Sequence, residues 1–321
     1  MADIVGRFKV FVRDFSDLFF VYRKDRQSIA CQYLSGLMQV PDRKNMEQIS
    51  LAVPESDHQA IQQFITDSDW DAQAVMNRVA ENVNELIGDR KTTCLVIDES
   101  GFRKKGKKSV GVARQWLGNI GKVDNCQIGV FAALCKDNKA ALINSRLYLP
   151  DEWTNDRARC EEAKIPLDDR LFRTKEDIAL DFVDQADALA LEYACICADA
   201  GYGKGFYFCE ELNNRRKVFM VDVHSDLMIY EKNPKPYIPK DSPGRGRKHT
   251  RLASDQQAIR VDKFFSKLPE SEWEMHTVRK STKGAIKYEY VHKRVWIWVK
   301  ETGKTYQWHL IARRDAETKG D

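Results

Sequence analysis

Residues Thr92 to Gly101, TTCLVIDESG, constrain this chain more than any other stretch. A short apolar run bounded by a turn signal reads as a buried strand, and Cys94 to Ile97 is such a run. It climbs to two carboxylates, Asp98 and Glu99, and is expected to break at Ser100-Gly101 into Arg103-Lys104-Lys105-Gly106-Lys107-Lys108. A second apolar run, Ala194 to Ala198, also ends on an aspartate, Asp199, followed by Gly201-Tyr202-Gly203. The fold must bury both strands and leave an aspartate at the tip of each.

The hydrophobic period changes along the chain. Before residue 90 it is helical: Phe11, Phe15, Leu18 and Phe19 share one face, and Ile29, Tyr33, Leu34 and Leu37 share another until Pro41. A helix is expected to open at Pro54-Glu55-Ser56-Asp57 and end near Asp67. The next, from about Asp71, carries Val75, Val79, Val83, Leu86 and Ile87. From Lys91 the period is that of strands. Runs at 94–98, 110–117 and 126–134 in quick succession predict an antiparallel meander. A loop containing Trp153, a helix over 175–191, the strand 194–198, a helix over 204–214 and a strand over 218–223 follow. Strands followed by alternating helix and strand predict an α/β fold, a ribonuclease-H-like mixed sheet with flanking helices. Beyond Tyr230, four prolines punctuate a linker, and 273–278, 285–299 and 306–312 are strand-like, with Thr302-Gly303 at a hairpin turn. The expected division is a helical domain over 1–89, a catalytic core over 90–230, and a linker with a β-rich insertion over 231–321.

Two carboxylates at the tips of neighbouring strands repel unless a cation lies between them. Hard oxygen donors suit Mg²⁺ or Mn²⁺. Paired ions roughly 3.5–4 Å apart activate a water or a 3′-hydroxyl and stabilise the leaving oxygen of a phosphodiester. Asp98 and Asp199 are therefore the candidate metal ligands and catalytic residues, although an aspartate before glycine also serves as a turn or helix cap. Arg103, Lys104, Lys105, Lys107 and Lys108, with Arg114 on the next strand, are candidate phosphate contacts; the plainer reading of such a run is a solvated turn. Pro243-Gly244-Arg245-Gly246-Arg247-Lys248 is like an AT-hook core. Arg245, Arg247 and Lys248 could enter a minor groove, contact a DNA backbone, or belong to a flexible linker.

The formal net charge of +4 is unevenly spread: acids dominate from Asp42 to Asp89, and bases from Arg90 to Asp124 and after Glu231. Basic regions beside an acidic one point to a polyanion met by part of the surface. Eight dispersed cysteines without a C-x-x-C pair read as reduced thiols of a cytosolic protein, not a disulfide framework or a zinc site. The six histidines show no ligand spacing, and there is no Walker loop or G-x-S-x-G. No signal peptide or membrane span is visible, so no membrane partner is expected.

Ile97 to Phe102, Lys104 to Lys107, Ser109 to Gln115, Gly121 to Gln127 and Ala198 to Gly203 together resemble the DDE transposases of the insertion sequence 701 family. Ser56 to Asp71, Pro243 to Arg245 and Leu268 to Trp273 are similar to further segments of that family. The resemblance implies a ribonuclease-H-like catalytic domain with two divalent metals. It also implies a bacterial, cytoplasmic enzyme, nucleoid-associated when bound to DNA, that cuts and joins double-stranded DNA at terminal inverted repeats and target sites, as a homodimer in a transposition complex. It implies a third acidic ligand as well, a glutamate on a helix after the β-strand insertion. Glu301 falls in a hairpin and Glu317 in a polar tail, and the chain ends at Asp321, so a catalytically incomplete site is expected. The alternative is a truncated DNA-binding regulator of a full-length transposase.

Overall fold

The computed structural model describes residues 2–21, 24–240, 249–281 and 284–315. The chain forms two compact units, Met1–Cys197 and Ala198–Asp321. The first begins with helices α1 (Ala2–Arg13) and α2 (Gln27–Gln39), separated by the small strands β1 (Phe20–Val21) and β2 (Lys24–Asp25). Helices α3 (Met46–Ala52), α4 (His58–Thr66) and α5 (Ala72–Ile87) follow. Side chains of Asn45, Asp57 and Asp71 accept the otherwise orphaned amides at the starts of these three helices. The cap at Asp57, and not Pro54, sets where α4 begins. Phe15, Phe19, Ala30 and Phe64 form one apolar cluster, with Trp70 stacked on Phe64 at 5.7 Å; Val40, Ile49 and Ile61 form a second.

The sheet of the first unit contains β3 (Cys94–Arg103), β4 (Ala113–Leu117), β5 (Lys122–Lys136), β6 (Lys139–Leu147) and β7 (Cys195–Ala198). Strand β3 does not stop at Ser100-Gly101. Its antiparallel ladder with β5 continues from Cys94↔Cys135 to Arg103↔Cys126. The glycine serves close packing and not a turn: a Cβ at Gly101 would lie 2.0 Å from Cδ1 of the buried Leu117. The expected meander is also corrected, because β5 lies between β4 and β3 and pairs with both. Strand β6, absent from the sequence reading, pairs with β5 through a two-residue turn at Asp137-Asn138, with Asp137 at φ 53°.

β7 lies beside β3 on the edge away from β5. Both begin at the same level: the Ala194 N–H donates to the Thr93 carbonyl at 2.7 Å, and Cys94 faces Cys195. The two strands therefore run in the same direction, which makes the sheet mixed, as a ribonuclease-H-like fold requires. Helices α6 (Asp151–Thr154) and α7 (Arg157–Glu162) precede α8 (Lys175–Ala188), which packs on the sheet together with α5. Asn144 of β6, Gln185 of α8 and Asn77 of α5 are joined by side-chain hydrogen bonds, so the buried amide of Asn144 is satisfied.

In the second unit the expected helix 204–214 is α10 (Tyr207–Asn214), starting three residues later, and a separate short helix α9 (Ala200–Gly203) precedes it. The break is at Gly205 and Phe206, both with positive φ. Strand β8 (Phe219–Val221) follows, and the Asp222 N–H donates to the Ala198 carbonyl at 3.1 Å. The short pair β9 (Met228–Ile229) and β10 (Ile259–Arg260) leads to α11 (Val261–Phe265). Then comes an antiparallel sheet in the order β11 (Glu274–Ser281), β12 (Gly284–Val299) and β13 (Lys304–Asp315). Val291, Val295, Ile297 and Val299 alternate along β12 and bury one of its faces against Phe206, Ile229 and Phe265. Among the described residues no helix is long and apolar enough to cross a membrane.

Candidate functional site

Asp98 is the fifth residue of β3 and lies within the strand, not at its tip. Alternation puts Leu95, Ile97 and Glu99 on one face and Cys94, Val96 and Asp98 on the other. Asp98 is exposed, and its Oδ1 accepts the Glu99 N–H at 2.7 Å. The neighbouring Glu99 is committed elsewhere. Its carboxylate is 2.7 Å from Nζ of Lys175, whose ammonium also lies 5.6 Å from the Tyr148 ring centroid. One of two adjacent acids is thus neutralised within the fold and the other is presented to solvent.

The basic residues after Asp98 do not form a free loop. Nδ2 of Asn125 donates to the Lys104 carbonyl at 2.8 Å and to the Gly106 carbonyl at 2.9 Å. From the other side, Nη2 of Arg159 donates to the Lys107 carbonyl at 2.9 Å while its guanidinium lies 3.6 Å from the Trp153 ring centroid. Arg103 still belongs to β3 and pairs with Asp124 at 3.0 Å. The Asn125 N–H, and then the charge of Arg103, hold the Asp124 carboxyl below its ordinary range. Lys108 pairs loosely with Glu162 at 3.6 Å. Lys105 and Lys107 are exposed and have no ion pair among the described residues; Lys104 is half-buried. Arg114 is exposed on β4, and its Nη2 lies a long 3.5 Å from the Val123 carbonyl. Asn125 and Arg159 are the residues the sequence reading missed, because their function is to hold backbone carbonyls that no motif records.

Asp199 directly follows β7 and is the second residue of the second unit, which begins at Ala198. It caps α9: Oδ1 accepts the Gly201 N–H at 2.9 Å, and the residue is exposed. The capping role weighed for this aspartate is therefore present. It occupies one carboxylate oxygen, and among the described residues the second accepts no hydrogen bond; the same holds for Asp98. Arg245, Arg247 and Lys248 lie outside the described residues.

The described residues contain one further constellation of metal-ligating atoms, in the first unit. The sulfurs of Cys94, Cys195 and Cys197 all lie within 4.8 Å of one another. Burial pushes the Cys195 and Cys197 thiols up. The C-x-C spacing at 195–197 was visible in the sequence; the partner one strand away was not.

A family model described as DDE superfamily endonuclease matches residues 11–285. The chain is 27% identical over 190 residues to a protein of Microchaete diplosiphon described as a probable transposase for insertion sequence element IS701. That alignment covers 58% of this chain and 46% of the relative, so the chain spans about half the length of the curated relative it matches.

Proposed function

Because the chain belongs to the DDE superfamily endonucleases, we propose that it is an insertion-sequence transposase chain that binds element ends in double-stranded DNA and uses Asp98 and Asp199 to hold Mg²⁺ or Mn²⁺. The observation that carries this reading is one of register. Cys94 and Cys195 begin parallel neighbouring strands side by side, and each aspartate is the fourth residue after its cysteine. Among the described residues each aspartate also retains a carboxylate oxygen without a hydrogen bond, and carboxylate oxygen is the donor that a hard cation takes. Glu99 is excluded from the set by its pairing with Lys175.

When bound, such ions lower the barrier for attack of a water or 3′-hydroxyl on phosphorus and stabilise the leaving oxygen. The chain's own residues position the nucleic acid. Lys105 and Lys107, on a backbone held by Asn125 and Arg159, contact phosphates near the scissile bond, and Arg103, Lys104, Lys108 and Arg114 extend that basic surface. Backbone contacts of this kind fix register on the duplex without reading sequence. Arg245, Arg247 and Lys248 add a second DNA contact in this proposal. Assembly as a homodimer and a functional division into 1–89, 90–230 and 231–321 are further parts of the proposal. Two ions need more than two monodentate ligands, so Asp98 and Asp199 are part of the ligand set in this proposal and not the whole of it.

The test is Mn²⁺ titration followed by electron paramagnetic resonance, run beside nicking of a supercoiled plasmid carrying element ends. Asp98→Asn and Asp199→Asn should each weaken Mn²⁺ binding by about a hundredfold or more and remove metal-dependent nicking. Binding and nicking that are unchanged in Asp98→Asn would overturn the assignment.

A further inference from the structure

Three thiols converge in the first unit on the sheet face that also bears Asp98. Cys94 opens β3, Cys195 opens the adjacent β7, and Cys197 follows two residues later on the same side. Sγ of Cys94 lies 3.3 Å from Sγ of Cys195, which lies 3.9 Å from Sγ of Cys197. All eight cysteines are free, and these three are each partly buried, so the sulfurs are neither oxidised nor sealed in the core.

A metal–sulfur bond of about 2.3 Å requires sulfurs roughly 3.8–4.0 Å apart in tetrahedral or trigonal coordination. The separations of 3.3 and 3.9 Å, with the third no longer than 4.8 Å, lie on either side of that requirement. Two touching thiols are common core packing. Three on one sheet face need both the C-x-C spacing and the register that sets Cys94 beside Cys195. The structure assigns Cys94, Cys195 and Cys197 as a binding site for one thiophilic d¹⁰ cation, Zn²⁺ or Cu⁺. Cuprous ion takes three thiolates. Zinc takes four donors, and the fourth position at this site is left to water or an added ligand, since the sulfurs within 4.8 Å of one another are those of Cys94, Cys195 and Cys197. Soft thiolates select these ions over Mg²⁺ and Mn²⁺, so the site is chemically separate from the aspartates.

The test uses the full 321-residue chain, reduced and anaerobic, titrated with Cd²⁺ and read by thiolate-to-metal charge-transfer absorption in the ultraviolet. Saturation at one ion per chain, undisturbed by excess Mg²⁺, is expected. Cys195→Ser and Cys197→Ser should each weaken binding by about tenfold or more, whereas Cys31→Ser, on α2, should leave it unchanged. Circular dichroism identifies a variant that fails to fold, and the other variant then decides. Zn²⁺ or Cu⁺ displaces Cd²⁺ in competition, and the ion effective at the lower free concentration is the one the site prefers. No saturable band, a band that survives both serine substitutions, or Cd²⁺ displaced by neither ion would overturn the proposal and leave the three thiols as packing residues.

Discussion

Asp98 and Glu99 are adjacent acids with different surroundings, and alternation along β3 is the cause. One points to the face where α8 supplies Lys175, the other to the open face. Glu99→Gln should therefore change Mn²⁺ affinity by less than about tenfold, below the loss expected for an outer-shell partner, while Asp98→Asn weakens it by about a hundredfold or more. Comparing the two titrations separates ligand from neighbour. Gly101 shows a different residue-scale logic. Its missing Cβ makes room for Leu117, which is 1% exposed. Gly101→Ala should cost about 1–2 kcal/mol by urea denaturation, as overpacking does, and Leu117→Ala in the same chain should recover part of it. The sequence shows a glycine after serine and invites a turn; that the glycine accommodates a leucine two strands away is a tertiary fact.

At the scale of elements, the end of α5 and the start of α8 each tie a helix to the sheet, through Asp89 with Lys136 and through Lys175 with Glu99. Thr174 and Asp177 form a reciprocal capping box at the start of α8, the turn that carries Lys175 to Glu99. Thr174→Ala should destabilise the chain by about 1 kcal/mol in urea, because an orphaned amide replaces a satisfied one. Asp89 joins the end of α5 to β3, and the Lys91 N–H, aided by Lys136, holds its carboxyl down from 3.8 to about 2. A depressed folded-state value contributes stability that is fully present above 3.8 and lost as pH falls toward 2. Asp89→Asn should thus lower the melting temperature at neutral pH and converge with the parent chain near that lower limit. Both helices were legible in the apolar spacing of the sequence. Strand β6 was not, since Lys139 to Leu147 mixes small and polar residues, and its pairing depends on the long β5 beside it.

At the scale of the molecule, a modest net charge of +4 coexists with a basic surface around the 103–108 segment. Element-end DNA should therefore bind with a steep salt dependence. Replacing Lys105 and Lys107 together by alanine should reduce the slope of log affinity against log salt by about 2, one unit per phosphate contact, without changing sequence preference. Electrophoretic mobility shifts across a salt series check this. An unchanged slope would return these lysines to the role of a solvated turn.

The sequence by itself determined the helical start of the chain, the two apolar strands with their aspartates, and the β-rich segment after residue 270, because each is a local periodicity of apolar side chains. It also identified the family, since the matching motifs are contiguous. Only the tertiary structure decided that β3 continues past Asp98, that β5 separates β3 from β4, and that Glu99 is neutralised by Lys175. It alone placed Cys94 beside Cys195. These are consequences of strand register and helix packing, which join residues tens of positions apart, and no local pattern of side chains encodes which edge of a strand its partner will take.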